Sequence, residues 1–183
     1  YFVGDVDLNY DADKLLFSSI GSHNRWQLFE IRMDGTGLRQ VTPSDETDID
    51  SYDAVYLPDN RIIFDSTSTF VGVPCVGGGD YVANLHLMNP DGTHIRRLCF
   101  DQDNDWCPVV MASGRVMYLR WEYTDSAHYF ARVLMSMNPD GTTQASVYHN
   151  NSYWPNGLWY ARPLPGSPTK FVAIISGHHG VPR

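Results

Sequence analysis

The chain has 183 residues, 43% hydrophobic and 19% charged, with 13 Lys and Arg against 21 Asp and Glu and a net charge of −8. That composition excludes a disordered chain, offers no apolar run near the ~20 residues of a membrane-spanning helix, and argues against a nucleic-acid backbone as partner. Helix formers are scarce, while 15 Gly, 11 Pro, 11 Tyr and 5 Trp favour short strands joined by turns.

In chain order, the first predicted strands are 5–10 and 13–19, joined by a polar turn with a basic residue, then 27–32 and 38–42 around Met33-Asp34-Gly35-Thr36. The same scheme returns at 52–57, 60–66, 84–88 and 95–100, the last two flanking Asn89-Pro90-Asp91-Gly92-Thr93. It returns again at 107–111, 114–118, 133–137 and 144–148, around Asn138-Pro139-Asp140-Gly141-Thr142, and begins a fourth time at 158–163 and 169–173. Asp-Gly between apolar runs marks a tight hairpin, because Gly accepts the positive φ that such turns need.

Four antiparallel strands per unit, repeating every ~40–50 residues, is the signature of propeller blades. The expected fold is therefore all-β, with blades at about 5–42, 48–100 and 105–149 and a half blade at 152–183. A β-sandwich is the alternative, since it also shows evenly spaced strands. Three and a half blades do not close a ring, so the expected partners are the remaining blades or another copy of the chain. Tyr1 is not an initiator Met and no charged-then-apolar leader precedes it, so the chain is expected to be an excerpt, with any signal peptide outside it.

Antiparallel connections alternate between the two ends of a blade. The first-to-second and third-to-fourth strand turns share one end, the lower, and are short and repetitive. The upper end collects long, dissimilar loops: 20–25 with His23, 67–80 with Cys75 and Gly77-Gly78-Gly79, 121–129 with Glu122, Asp125 and His128, and 176–183 with His178 and His179. The crossovers 45–53, 101–105 and 149–154 join them there. Long variable loops on a repetitive scaffold are where function usually sits.

Several chemistries can be weighed at that end. Asp5, Asp7, Asn9 and Asp11 superficially suggest a calcium loop, but Tyr10 and Leu16 stand where Gly and the bidentate Glu belong; simple alternation along a strand edge accounts for them. Gly77-Gly78-Gly79 lacks the Gly-Lys-Ser/Thr of a phosphate loop and reads as a bend toward the channel mouth or another subunit. The three cysteines form neither CxxC nor CxxCH. Cys99 reads as a buried strand residue; Cys75 and Cys107 read as upper-face thiols for which a disulfide, a metal pair and unrelated roles all stay open. His178 and His179 are imidazoles that could hold a metal, with Cys75, Cys107 or Asp105 as partners. Such a mixed set suits zinc; histidines bonded to loop carbonyls are the alternative. Trp106, Trp121, Tyr123, Tyr153, Trp154 and Trp159 could stack on a sugar or flat cofactor, or wedge blade against blade. No Ser/His/Asp spacing identifies a nucleophile, because triads assemble in space.

Leu28-Phe29-Glu30-Ile31, Asp34-Gly35-Thr36, Gln40-Val41-Thr42 and Asp59-Asn60-Arg61-Ile62-Ile63-Phe64 resemble the TolB-type, WD40-like propeller repeat. The run from Asp48 to Pro58, Gly72-Val73-Pro74-Cys75, Asp105-Trp106-Cys107-Pro108 and Leu119-Arg120-Trp121-Glu122-Tyr123-Thr124-Asp125 resemble proteins related to the hydrazine synthase alpha subunit. So do Tyr160-Ala161-Arg162-Pro163 and Ser176-Gly177-His178-His179-Gly180-Val181-Pro182-Arg183. The resemblance implies a six-bladed propeller within a longer exported, periplasmic or extracellular bacterial protein. It implies a cytochrome or redox subunit as partner, and haem only in a domain outside this segment, with zinc near that haem. Val181-Pro182-Arg183 stands where the family's haem-contacting tyrosine is expected, so the scaffold carries over further than the reaction. Two functions follow as expectations: a binding and assembly module, or part of a metal- or haem-dependent oxidoreductase borrowing upper-face residues.

Overall fold

The computed structural model describes residues 2–123, 130–148 and 157–176. The chain divides into two compact units, Tyr1–Phe100 and Asp101–Arg183. The first unit holds two four-stranded antiparallel sheets. β1 (Val3–Leu8), β2 (Lys14–Ile20), β3 (Trp26–Arg32) and β4 (Arg39–Gln40) pair in chain order, and so do β5 (Ser51–Tyr56), β6 (Ile62–Ser66), β7 (Asn84–Met88) and β8 (Arg96–Arg97). The inner strand β5 packs on β1, β2 and β3. Leu16, Leu28 and Val41 of the first sheet there meet Ala54, Tyr56, Ile62, Phe64 and Met88 of the second. A single sheet cannot bury both its faces, so stacking supplies the core.

The second unit repeats the motif with β9 (Asp105–Val110), β10 (Val116–Tyr123), β11 (Phe130–Met137) and β12 (Ala145–Tyr148), followed by the hairpin β13 (Gly157–Pro163) and β14 (Phe171–Ser176). Met117 and Leu134 pack with Leu158 and Ala161 of β13, flanked by Val109, Met111, Phe171 and Ala173. One parallel bridge, Arg132 to Gly157, joins β13 to β11.

The lower turns are chemically uniform. Asp34 Oδ1 accepts from the Thr36 N–H and hydroxyl at 2.9 and 2.7 Å, and Asp91–Thr93 and Asp140–Thr142 repeat this at 3.0 and 2.6 Å. Gly35, Gly92 and Gly141 supply φ of 83°, 84° and 87°. The hydroxyl bond holds the Asp34 and Asp91 carboxyls below their usual range.

Two expectations need correction. The outer strands are shorter than the predicted 38–42 and 95–100, with two residues each in β4 and β8. A left-handed residue after each turn delays strand entry, Gly37 at φ 69° and His94 at φ 55°, and Leu38 and Ile95 end up exposed. Nor do Asp5, Asp7, Asn9 and Asp11 simply alternate. A bulge shifts the β1–β2 register between Gly4 and Asp7, with Asp5 at φ 52°. Asp7 Oδ2 then accepts the Tyr56 N–H at 2.8 Å, while Asn9 Oδ1 accepts the N–H groups of Asp13 and Lys14. The same device recurs in every inner strand. Asp53, Cys107 and Tyr160 adopt φ of 49°, 56° and 50° beside register shifts in β5, β9 and β13. Bulges of this kind sharpen twist and re-aim side chains.

Candidate functional site

In the second unit, the upper ends of the strands gather charge and aromatic surface. Arg120, in register with Asp105 across β9 and β10, sits where an apolar strand would bury Leu or Val. Its Nε donates to Asp105 Oδ1 at 3.1 Å, and its Nη2 donates to Tyr118 Oη and Gln144 Oε1, both at 2.7 Å. Asp101 Oδ2 lies 2.7 Å from the same Nη2 as an ion-pair contact without hydrogen-bond alignment. Burial pulls the Arg120 pKa down, but Asp105, Tyr118 and Asp101 together outweigh it and the net shift is upward. The guanidinium therefore stays charged, and the carboxylate of the fully buried Asp105 has its counterion.

Beside it, Trp106 stacks on Trp121 at 5.9 Å and on Trp159 at 5.3 Å between ring centroids. Arg132, directly opposite Trp121 in the ladder, lies 4.9 Å from the Trp121 ring centre and 5.2 Å from that of Trp159. Gly157 permits this approach, since a Cβ there would come within 3.0 Å of Trp159 Nε1 and 3.4 Å of Arg132 Cδ. The cluster knits β9–β11 to β13, which is the wedge role expected of these aromatics. Trp106 and Trp159 nevertheless remain partly exposed, leaving ring surface open to a ligand.

The first unit's upper end is built differently. Residues 67–82 close on themselves as a small hairpin. Val82 donates to Val71 O and Val73 to Asp80 O, and Gly72 bridges Tyr81. Cys75 occupies the short 3-10 turn Pro74–Val76 at its tip. Gly78 and Gly79 donate their N–H groups to Val73 O and Val76 O, so those amides are spent inside the loop, as expected of a segment that is not a phosphate cradle. His23 bonds through Nε2 to Ser44 O at 3.0 Å, which ties its loop to the following crossover.

The candidate metal ligands are reached only in part by the described residues. Asp105 and Cys107 lie on β9 and are buried. Cys75 belongs to the first unit. His178 and His179 lie outside the described residues, as do Asp125, His128, Tyr153 and Trp154. Cys99 is buried. Sequence reasoning missed Arg120, Arg132 and a contact between Ser68 and His86. A basic residue inside an apolar strand, as in Leu119-Arg120-Trp121, was the available signal for Arg120.

Repeated four-stranded antiparallel sheets stacked through their inner strands define a β-propeller fold, and solved structures agree. The chain is similar to hydrazine synthase of Kuenenia stuttgartiensis, with 14% identity and a TM-score of 0.78 over 95% of this chain and 29% of that one. It is similar to TolB of Acinetobacter baumannii, with 14% identity and a TM-score of 0.58 over 95% of this chain and 40% of that one. A puromycin-hydrolyzing peptidase of Mycobacterium tuberculosis matches at 11% identity and a TM-score of 0.65, over the whole of this chain and 26% of that one. The chain thus carries a TolB-like propeller fold and spans less than half the length of each of these structures. No protein-family model matches it. No curated protein matches it either.

Proposed function

We propose that this chain is the propeller part of a larger exported bacterial protein related to the hydrazine synthase alpha subunit, working as a binding and assembly module. The supporting observation is the contrast, within each unit, between the lower and upper ends of its strands. The lower turns repeat one Asp-Gly-Thr hydrogen-bond pattern, while the upper ends hold the Trp106–Trp121–Trp159 stack with Arg132, the Arg120 ion cluster and the 67–82 hairpin. Long, dissimilar loops on a scaffold whose other turns repeat are where ligands are usually bound. The remaining blades, from the rest of the protein or a second copy, complete the ring, and a redox subunit docks on the upper face. The test replaces residues 73–80 of the full-length protein by Asn-Gly, closing the hairpin directly between Gly72 and Tyr81. The module reading expects the native assembly mass, read by light scattering, to fall while the unfolding midpoint stays near wild type. An unchanged assembly contradicts it.

A second reading, part of a metal- or haem-dependent oxidoreductase, draws on the fold likeness to hydrazine synthase. In it His178 or His179 would bind zinc with Cys75, Cys107 or Asp105, and haem would come from a domain outside this segment. Asp105 already accepts from Arg120 through Oδ1, and the positive charge of that guanidinium opposes a second cation beside it.

A further inference from the structure

Ser68 and His86 meet in the first unit, whereas the Arg120 and tryptophan clusters belong to the second. Ser68 follows the end of β6, and His86 lies on β7 directly opposite Phe64. Ser68 Oγ stands 3.1 Å from His86 Nε2, and His86 Nδ1 stands 2.8 Å from the backbone oxygen of Asn84. A carbonyl oxygen can only accept, so Nδ1 carries the ring hydrogen and the Nε2 lone pair faces the Ser68 hydroxyl. Phe64, 5.9 Å from the imidazole between ring centres, packs against it. His86 is 4% exposed, whereas Ser68 keeps part of its surface in solvent. The next residue, Thr69, has a backbone N–H with no acceptor among the described residues.

We propose that Ser68 and His86 form a nucleophilic dyad that takes acyl groups from small esters, with the Asn84 carbonyl orienting the base. The arrangement is base within reach of nucleophile and base oriented by a third group, as nucleophilic catalysis requires. His86 Nε2 takes the Ser68 proton as Oγ bonds the acyl carbon. The Thr69 N–H, adjacent to the nucleophile, is placed in sequence to donate to the oxyanion. Collapse expels the alkoxide, which leaves as alcohol with the proton from Nε2. Water, deprotonated by His86, then releases the acid and regenerates Ser68.

Burial lowers the His86 pKa below its ordinary 6.5 against the opposing bond to the Asn84 backbone oxygen, and Arg97 of β8, opposite His86 in the ladder, adds to the lowering. Among the described residues, Arg97 is the charged group acting on His86, and its guanidinium is held by the Asn84 side-chain oxygen at 2.6 Å. The base is therefore neutral at pH 7.

The test treats the full-length protein with p-nitrophenyl acetate and reads p-nitrophenolate release together with peptide mass mapping. The expected result is an acetyl group on Ser68, formed at a rate that rises with pH and levels off with a midpoint below 6.5. Ser68→Ala removes that adduct, and His86→Gln slows its formation about 100-fold, the lower end for general-base assistance. The wild-type pH profile stands whether or not His86→Gln folds. Absence of a Ser68 adduct, a rate climbing with hydroxide without a plateau, or equal labelling in 8 M urea (roughly the concentration that unfolds most domains) overturns the dyad.

Discussion

Replacing Arg120 by Met removes the guanidinium bonded to the fully buried Asp105 and strips donors from Tyr118 Oη and Gln144 Oε1. Removing one partner of a buried ion pair typically costs about 3–5 kcal/mol, because the other charge is left without compensation. Asp101 is a quarter exposed and solvates readily, so nearly all of that cost comes from Asp105. Asp105→Asn should cost less, since Arg120 keeps Tyr118, Gln144 and Asp101. The double variant loses both charges and should be less destabilised than the sum of the singles by about 1–3 kcal/mol. Urea unfolding of the full-length protein, followed by tryptophan fluorescence, reports this well, because four of the five tryptophans belong to the unit that holds Arg120. Additive losses, or a loss under about 1 kcal/mol for Arg120→Met as at a surface pair, would refute the buried-pair account.

Three further outcomes follow from the first unit. Tyr56 Oη donates to Glu30 Oε2 at 2.8 Å, and Lys14 and Arg39 also face that carboxylate, so Tyr56→Phe should cost about 1.5–3 kcal/mol in urea unfolding. Gly35→Ala meets only the positive-φ penalty of about 1–2 kcal/mol, because nothing lies within 4 Å of its new Cβ. Gly92→Ala adds an overlap with the Val41 backbone oxygen and should lower the thermal midpoint clearly further; equal losses would contradict the packing of the second lower turn on the first sheet. His86 has its folded pKa below 6.5, so between 6.5 and the folded pKa the unfolded chain binds more protons. Its contribution is therefore complete above pH 6.5 and is lost as pH falls through the folded pKa. Thermal midpoints measured downward from pH 7 should fall faster in wild type than in His86→Gln, and parallel curves would exclude this titration.

The repeat was the most legible feature of the chain. Asp-Gly-Thr three times over, each after an apolar run, predicts a hairpin because the turn chemistry is local: an Asp carboxylate bonding two residues ahead and a Gly at positive φ. The bulges at Asp5, Asp53, Cys107 and Tyr160 were not legible, because Asp, Cys and Tyr side chains share no chemistry that marks the position. What they share is a place in the inner strand, where register with the neighbouring strand sets the conformation. The outer strands were overread for a related reason. Leu38 and Ile95 look like core positions by composition, yet an outer edge leaves them in solvent. At the candidate site, the expected aromatics Trp106, Trp121 and Trp159 do meet, while Arg120 with Asp105 and Ser68 with His86 are pairings that only register and loop closure bring about.

Metal analysis together with a visible-absorption spectrum of the full-length protein tests the central reading most directly. A binding and assembly module predicts a protein with neither a Soret band nor stoichiometric zinc. One haem and one zinc per chain, with zinc lost on His178→Ala or His179→Ala, would contradict the module and establish the oxidoreductase reading in its place.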